Sequence, residues 1–189
     1  MLETQGESAR VISVFGMSAG AGVTTLTLSL AQEMAAQAEP VVLVDANVSD
    51  PNIHKKLGFN LKPGVAEVLE SPDGVSQALR SLHSDHLKVL TCGEWADLNS
   101  ASMRWAGLFD RLRAIGRPIL VDAGVGSAPN SAAIATASDS VVLVVEAGAS
   151  RWEQVDSFAH RMKSLGVPVL GVIINKRRFP IPEFIYRHL

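Results

Sequence analysis

The 189-residue chain is 47% hydrophobic and 19% charged, the composition of a compact globular protein and not of a disordered one. Its formal net charge of -2 gives no electrostatic ground for nucleic acid as a partner. A lone cysteine, Cys92, excludes an internal disulfide and fits a reducing cytoplasm. No apolar run reaches the ~18 residues of a membrane span, and the polar start MLETQGESAR does not read as a signal peptide. The expectation is a cytoplasmic protein with a flexible tail over 1–9 and one domain over 10–189.

In chain order, RVISVFG (10–16) reads as a strand and 24–37 as a helix. PVVLVDA (40–46) follows as a strand, then short helices over 65–70 and 73–83. LKVLTCG (87–93), PILVDAG (118–124), SVVLVVEAG (140–148) and VPVLGVIIN (167–175) complete the strands, separated by helices over 101–115, 128–137 and 151–165. The strands are apolar at nearly every position, as in a parallel sheet covered on both faces. Met103, Leu108, Phe109, Leu112 and Ile115 form the apolar stripe of one helix. Trp152, Val155, Phe158, Met162 and Leu165 form that of another. Alternating strands and helices predict right-handed crossovers and a doubly wound, mostly parallel α/β sheet of about six or seven strands.

Ligands of such folds bind beyond the carboxyl ends of the strands. Three of those ends carry marked residues here: GMSAGAGVTT (16–25), DANVSD (45–50) and DAGVG (122–126). The first has the outline of a phosphate-binding loop, whose backbone N–H groups and helix N-terminus cradle a β-phosphate. Gly20, Ala21, Gly22, Val23, Thr24 and Thr25 fall where such a loop closes on its helix. Thr24 stands at the position of the Mg²⁺-binding hydroxyl and Val23 at that of the lysine. From Val11 to Pro51 there is no Lys or Arg. Loss of one charge-assisted hydrogen bond weakens triphosphate binding by roughly ten- to a hundredfold, and phosphoryl transfer by more. Asp45 and Asp122, each ending an apolar strand, are the candidate catalytic and Mg²⁺-binding carboxylates with Thr24. The bland alternatives are a close-packed glycine turn and two acidic caps.

With these residues in place, the chain resembles the bacterial tyrosine kinases of exopolysaccharide assembly, within the MinD/ParA group of deviant P-loop ATPases. The resemblance covers about residues 10–189. Its most specific stretch is VVLVDANVSDPNIHKKLGFNLKPGVAEVLES (41–71). LKVLTCGE (87–94), VVLVVEAGASRWEQV (141–155) and VLGVIINKRR (169–178) support it. The resemblance implies a P-loop NTPase fold binding ATP or ADP with Mg²⁺, and Asn175 near an adenine base. It implies, as partner, the cytoplasmic segment of an inner-membrane polysaccharide chain-length protein, a co-polymerase, and so recruitment to the inner membrane. The departures from the family pattern are Val23 for the loop lysine, Ser18 for the second lysine, Asn47 and Ser49 in the second acidic motif, and Ala123-Gly124-Val125 after Asp122. Tyr186 is the one tyrosine, where self-phosphorylating members end in a tyrosine cluster.

These departures point to a regulatory or scaffolding protein with weak or absent nucleotide binding and turnover. A monomer or dimer is expected rather than the family ring. Two alternatives stand beside this reading: an active kinase or ATPase borrowing a cation from Arg177, Arg178 or a partner chain, and a MinD/ParA-like positioning ATPase. HSDH (83–86) reads as a solvated turn, Cys92 as a small buried hydrophobe, and the three tryptophans as packing residues. The tail RRFPIPEFIYRHL (177–189) is expected to fold back on the core.

Overall fold

The computed structural model describes residues 10–82, 84–95, 104–116 and 118–177. The tail over 1–9, Met103, His83, Arg178 and Tyr186 lie outside them. Within the described residues the strands are β1 (Val11–Gly16), β2 (Val41–Asp45), β3 (Arg80–Leu82), β4 (Ser84–Leu90), β5 (Ile119–Val125), β6 (Ser140–Glu146) and β7 (Val169–Asn175). The helices are α1 (Val23–Ala36), α2 (Ile53–Leu57), α3 (Val65–Glu70), α4 (Val75–Ala78), α5 (Trp105–Arg113), α6 (Ser131–Ala137) and α7 (Trp152–Ser164), with a 3₁₀ turn at Pro72–Gly74.

The strands form one sheet in the order β3-β4-β2-β5-β1-β6-β7, and only the β3–β4 pairing is antiparallel. Successive β2 residues face opposite sides. Val42 and Val44 join a core with Trp105, Phe109, Ile134, Phe158 and Met162 from α5, α6 and α7. Val41 and Leu43 join a second core with Leu28 and Ala31 of α1 and Ile53 of α2. Helices therefore cover both faces, and this is a doubly wound α/β fold. Because β5 lies between β1 and β2, the loops leaving all three carboxyl ends emerge side by side.

Four sequence expectations change, the first being HSDH (83–86), read as a turn: Ser84, Asp85 and His86 belong to β4. The helix expected over 73–83 is a 3₁₀ turn, one turn of α4 and then β3. Leu79 is already extended, and Arg80 and Ser81 pair with Val89 and Lys88. Arg80 is fixed in strand geometry by donating to Thr91 Oγ1 and the Lys62 carbonyl, both at 2.8 Å. Strand β7 is not covered on both faces. It is the last strand of the described sheet, and Leu170, Val172 and Ile174 are exposed. Trp152 is 74% exposed instead of packed, because it opens α7 ahead of the buried stripe of Val155, Phe158 and Met162. Trp105 is buried and stacks with Trp95.

Candidate functional site

The site is built on the turn from β1 to α1. Gly20 and Gly22 both have positive φ (76° and 96°), which other residues rarely adopt. At Gly22 a Cβ would also collide with the Asn175 amide. Asn175, at the end of β7, donates from Nδ2 to the Ala21 carbonyl at 2.9 Å and accepts the Lys176 N–H at Oδ1. Asn175, expected beside an adenine, here clamps the end of β7 to the loop. The first turn of α1 leaves N–H groups without intrahelical partners, aimed at the space above the loop.

Val23 stands where a P-loop carries its lysine. Its side chain is 7% exposed and packs in a small apolar cluster with Val14, Ala21 and Val144. Thr24, one residue on, lies beside Asp122. Asp45 and Asp122 pair in register between β2 and β5, and both are buried. Asp122 Oδ1 accepts the Gly124 N–H at 3.1 Å, while Oδ2 is buried with no hydrogen bond. Burial raises the Asp122 pKa, and Thr24 and the Gly124 N–H oppose it. Burial, and then the neighbouring charge of Asp122, push Asp45 up to about 7. Asp45 accepts the Asn47 N–H at Oδ1 and the Ile53 N–H at Oδ2, each at 3.2 Å. It fastens the loop that follows it.

Above these groups lies a cavity of about 570 Å³, lined by the loop from Ser18 to Thr25, by Asn47, Asp50, Asn52 and Lys56, and by Gly124 and Val125. Gly20, Ala21, Gly22, Val23, Thr24 and Thr25 are thus brought together with both acidic-motif loops. Asp45 and Asp122 lie beneath them. An Mg²⁺-nucleotide fits this arrangement in one respect that can be read directly: Asp122 keeps one buried oxygen, Oδ2, without a hydrogen bond, and its side chain lies beside Thr24, so carboxylate and hydroxyl offer hard oxygens of the kind Mg²⁺ takes along with phosphate oxygens. Among the described residues no group of three or more His, Cys, Asp and Glu forms a metal cage, so phosphate and water would complete the shell.

Arg177 does not reach this cavity. It lines another one, of about 590 Å³, with Trp152, Val172 and Ile174. Lys56, not singled out in the sequence, lines the cavity above the loop instead. No local signal marks it, because its place depends on the Ile53 N–H donating to Asp45 Oδ2 eight residues earlier. Cys92 is buried beneath the Trp95 indole, whose Nε1 donates to Sγ at 3.2 Å, and burial holds its thiol well above the usual range.

Fold and rim together define an α/β fold of the P-loop kind. The Pyrococcus furiosus cell division ATPase MinD superposes with a TM-score of 0.79 at 21% identity, covering 95% of this chain and 78% of that one. The VpsO kinase domain gives 0.81 at 26% identity, over 90% and 86%. The tyrosine-protein kinase YwqD of Bacillus subtilis is 24% identical over 163 residues, 84% of this chain and 69% of the relative. The succinoglycan biosynthesis transport protein ExoP of Rhizobium meliloti is 24% identical over 178 residues, 90% of this chain and 23% of the relative. No family model matches the chain. Within the P-loop class, the chain is a relative of the bacterial tyrosine kinases of exopolysaccharide biosynthesis.

Proposed function

We propose that this chain is a kinase-derived regulatory or scaffolding protein of exopolysaccharide biosynthesis and export, with weak nucleotide binding and little or no turnover. One observation carries the reading: the residue at the lysine position, Val23, belongs to an apolar cluster instead of facing phosphate with a charge. Phosphoryl transfer depends on positioning and charge neutralisation at the transferred group, and the loop itself supplies no cation. The backbone cradle and the Asp122–Thr24 pair support residual binding of a Mg²⁺-nucleotide. The partner we infer is the cytoplasmic segment of an inner-membrane co-polymerase, which would bring a cytoplasmic protein to the membrane. The relation to ExoP, a biosynthesis transport protein by name, supports this.

The test is a pair of measurements on the purified chain: phosphate release from MgATP, and labelling of the protein by radioactive ATP. The expected result is no phosphate release above that of Asp122→Ala and no label on the chain. Magnesium-dependent turnover that disappears in Asp122→Ala would establish an active kinase or ATPase instead.

A further inference from the structure

The cavity above the loop is not without positive charge. Lys56 is the one Lys or Arg among the described residues that line it, and among the described residues it has no ion-pair partner. Its place follows from the loop below. Asp45 Oδ2 holds the Ile53 N–H, Ile53 is fully buried against Leu43 and Leu28, and Leu57 packs on the same core one turn later. Gly58, at φ 68°, ends the helix. With Ile53 and Leu57 turned inward, Lys56 is carried on the flank of α2 that faces the loop. Lys55, next to it, does not line the cavity. By contrast, Lys176 near Gly20 is held by Glu146 at 3.0 Å.

We propose that Lys56 supplies the cation that the phosphate-binding loop lacks, so that the loop, the Asp122–Thr24 pair and Lys56 together bind the terminal phosphates of a Mg²⁺-oligophosphate. Its place on the cavity wall and its flexibility favour this. A lysine is a mobile point charge on a four-carbon stem and needs no fixed fork geometry to meet a phosphate. Asp50 lines the same cavity with the opposite sign, so Lys56 offsets it and leaves the mouth near neutral until phosphate arrives. A cation mounted on a separate helix stabilises bound phosphate without being tied to the loop backbone. Such an arrangement suits retention of a ligand better than transfer of its phosphoryl group. The inference rests on the reading of the loop as a surviving phosphate cradle.

Calorimetric titration with MgATP, and separately with magnesium pyrophosphate, tests both. The wild-type chain, Lys56→Ala, Lys56→Arg, Lys55→Ala, Val23→Lys and the Val23→Lys/Lys56→Ala pair would be compared. Lys56→Ala is expected to weaken both ligands by about ten- to a hundredfold. Lys56→Arg should stay within a few-fold of wild type, Lys55→Ala should match it, and Val23→Lys should rescue Lys56→Ala. Wild-type binding that Lys56→Ala leaves unchanged overturns the role of Lys56 while the cradle stands. Silence of wild type with binding by Val23→Lys does the same. Silence of every variant overturns the cradle itself, and the inference with it.

Discussion

The Asp45 carboxylate accepts the N–H of Ile53 at 3.2 Å, and Ile53 opens the short helix that carries Lys56. A strand-end acid is thereby coupled to a lysine eleven positions further on, through a buried backbone contact. Replacing Asp45 by Ala orphans the Ile53 N–H, which is buried, and the Asn47 N–H. One unsatisfied buried donor costs about 1–3 kcal/mol. Asp45→Ala is therefore expected to melt several degrees lower, at roughly 2–4 °C per kcal/mol for a chain of this size. It should also lose affinity for magnesium pyrophosphate beyond what Lys56→Ala loses. Thermal melts and calorimetry read the two effects separately. Unchanged melting would show that Asp45 does not fasten the helix.

The same carboxylate sets a pH dependence. In the fold Asp45 holds its proton up to about pH 7, whereas in the unfolded chain a carboxyl releases it near pH 4. Across that window the native state binds more protons than the unfolded state, so stability falls as pH rises and levels off above about 7. Asp122, shifted upward as well, acts with the same sign. His54 acts against them, because burial and Lys55 lower its pKa, and its contribution is lost as pH falls through about 6.5. The difference between wild type and Asp45→Asn, melted in EDTA from pH 5 to 8, isolates the acid. Wild type should gain on the variant as pH falls from 7.5 to 5. A difference independent of pH would mean that Asp45 is ionised throughout.

How far the site could be read from the sequence depended on the range of each interaction. The glycine loop, Asp45 and Asp122 were legible because strand ends and glycine spacing are local signals, and the topology only had to bring β1, β2 and β5 together. The 73–83 stretch was misread because Arg80 is drawn into a strand by Thr91 and Lys62, partners that helical periodicity cannot register. Trp152 looked like part of the α7 stripe because spacing says nothing of where the sheet beneath a helix stops. Lys56 was invisible as a site residue. Its position depends on an Asp45–Ile53 contact eight residues long, within a segment whose helix is barely more than one turn.

Asn175 and Gly22 form a contact that joins the last described strand to the loop. The amide at Asn175 donates to Ala21 at 2.9 Å, and Gly22 has no room for a Cβ beneath it. Asn175→Ala should loosen the loop at a cost of about 1 kcal/mol, seen as faster amide exchange over 20–24. Gly22→Ala meets both a positive φ of 96° and a collision, and should lower the melting temperature by more than Asn175→Ala. The double variant tests their coupling. Removing the amide relieves the collision but leaves the backbone strain, so the pair should melt above Gly22→Ala plus Asn175→Ala taken as a sum. Strict additivity would mean that the collision contributes nothing.

Val23 presents a trade between packing and charge. It is nearly buried in the cluster with Val14, Ala21 and Val144, yet it also lines the cavity above the loop. A lysine there can lay its methylene stem over the cluster and extend its ammonium into the cavity, but it overfills a site shaped for valine. Overpacking of this kind costs about 1–3 kcal/mol, so ligand-free Val23→Lys should melt several degrees below wild type. With MgATP present the order should narrow or reverse, because a ligand at free concentration L stabilises the fold by RT ln(1 + L/Kd), a term that grows as binding tightens. The ammonium adds a charge-assisted contact that valine lacks. Parallel melts with and without MgATP measure this. A variant that melts lower and shows the same ligand shift as wild type would mean that position 23 does not face the phosphates.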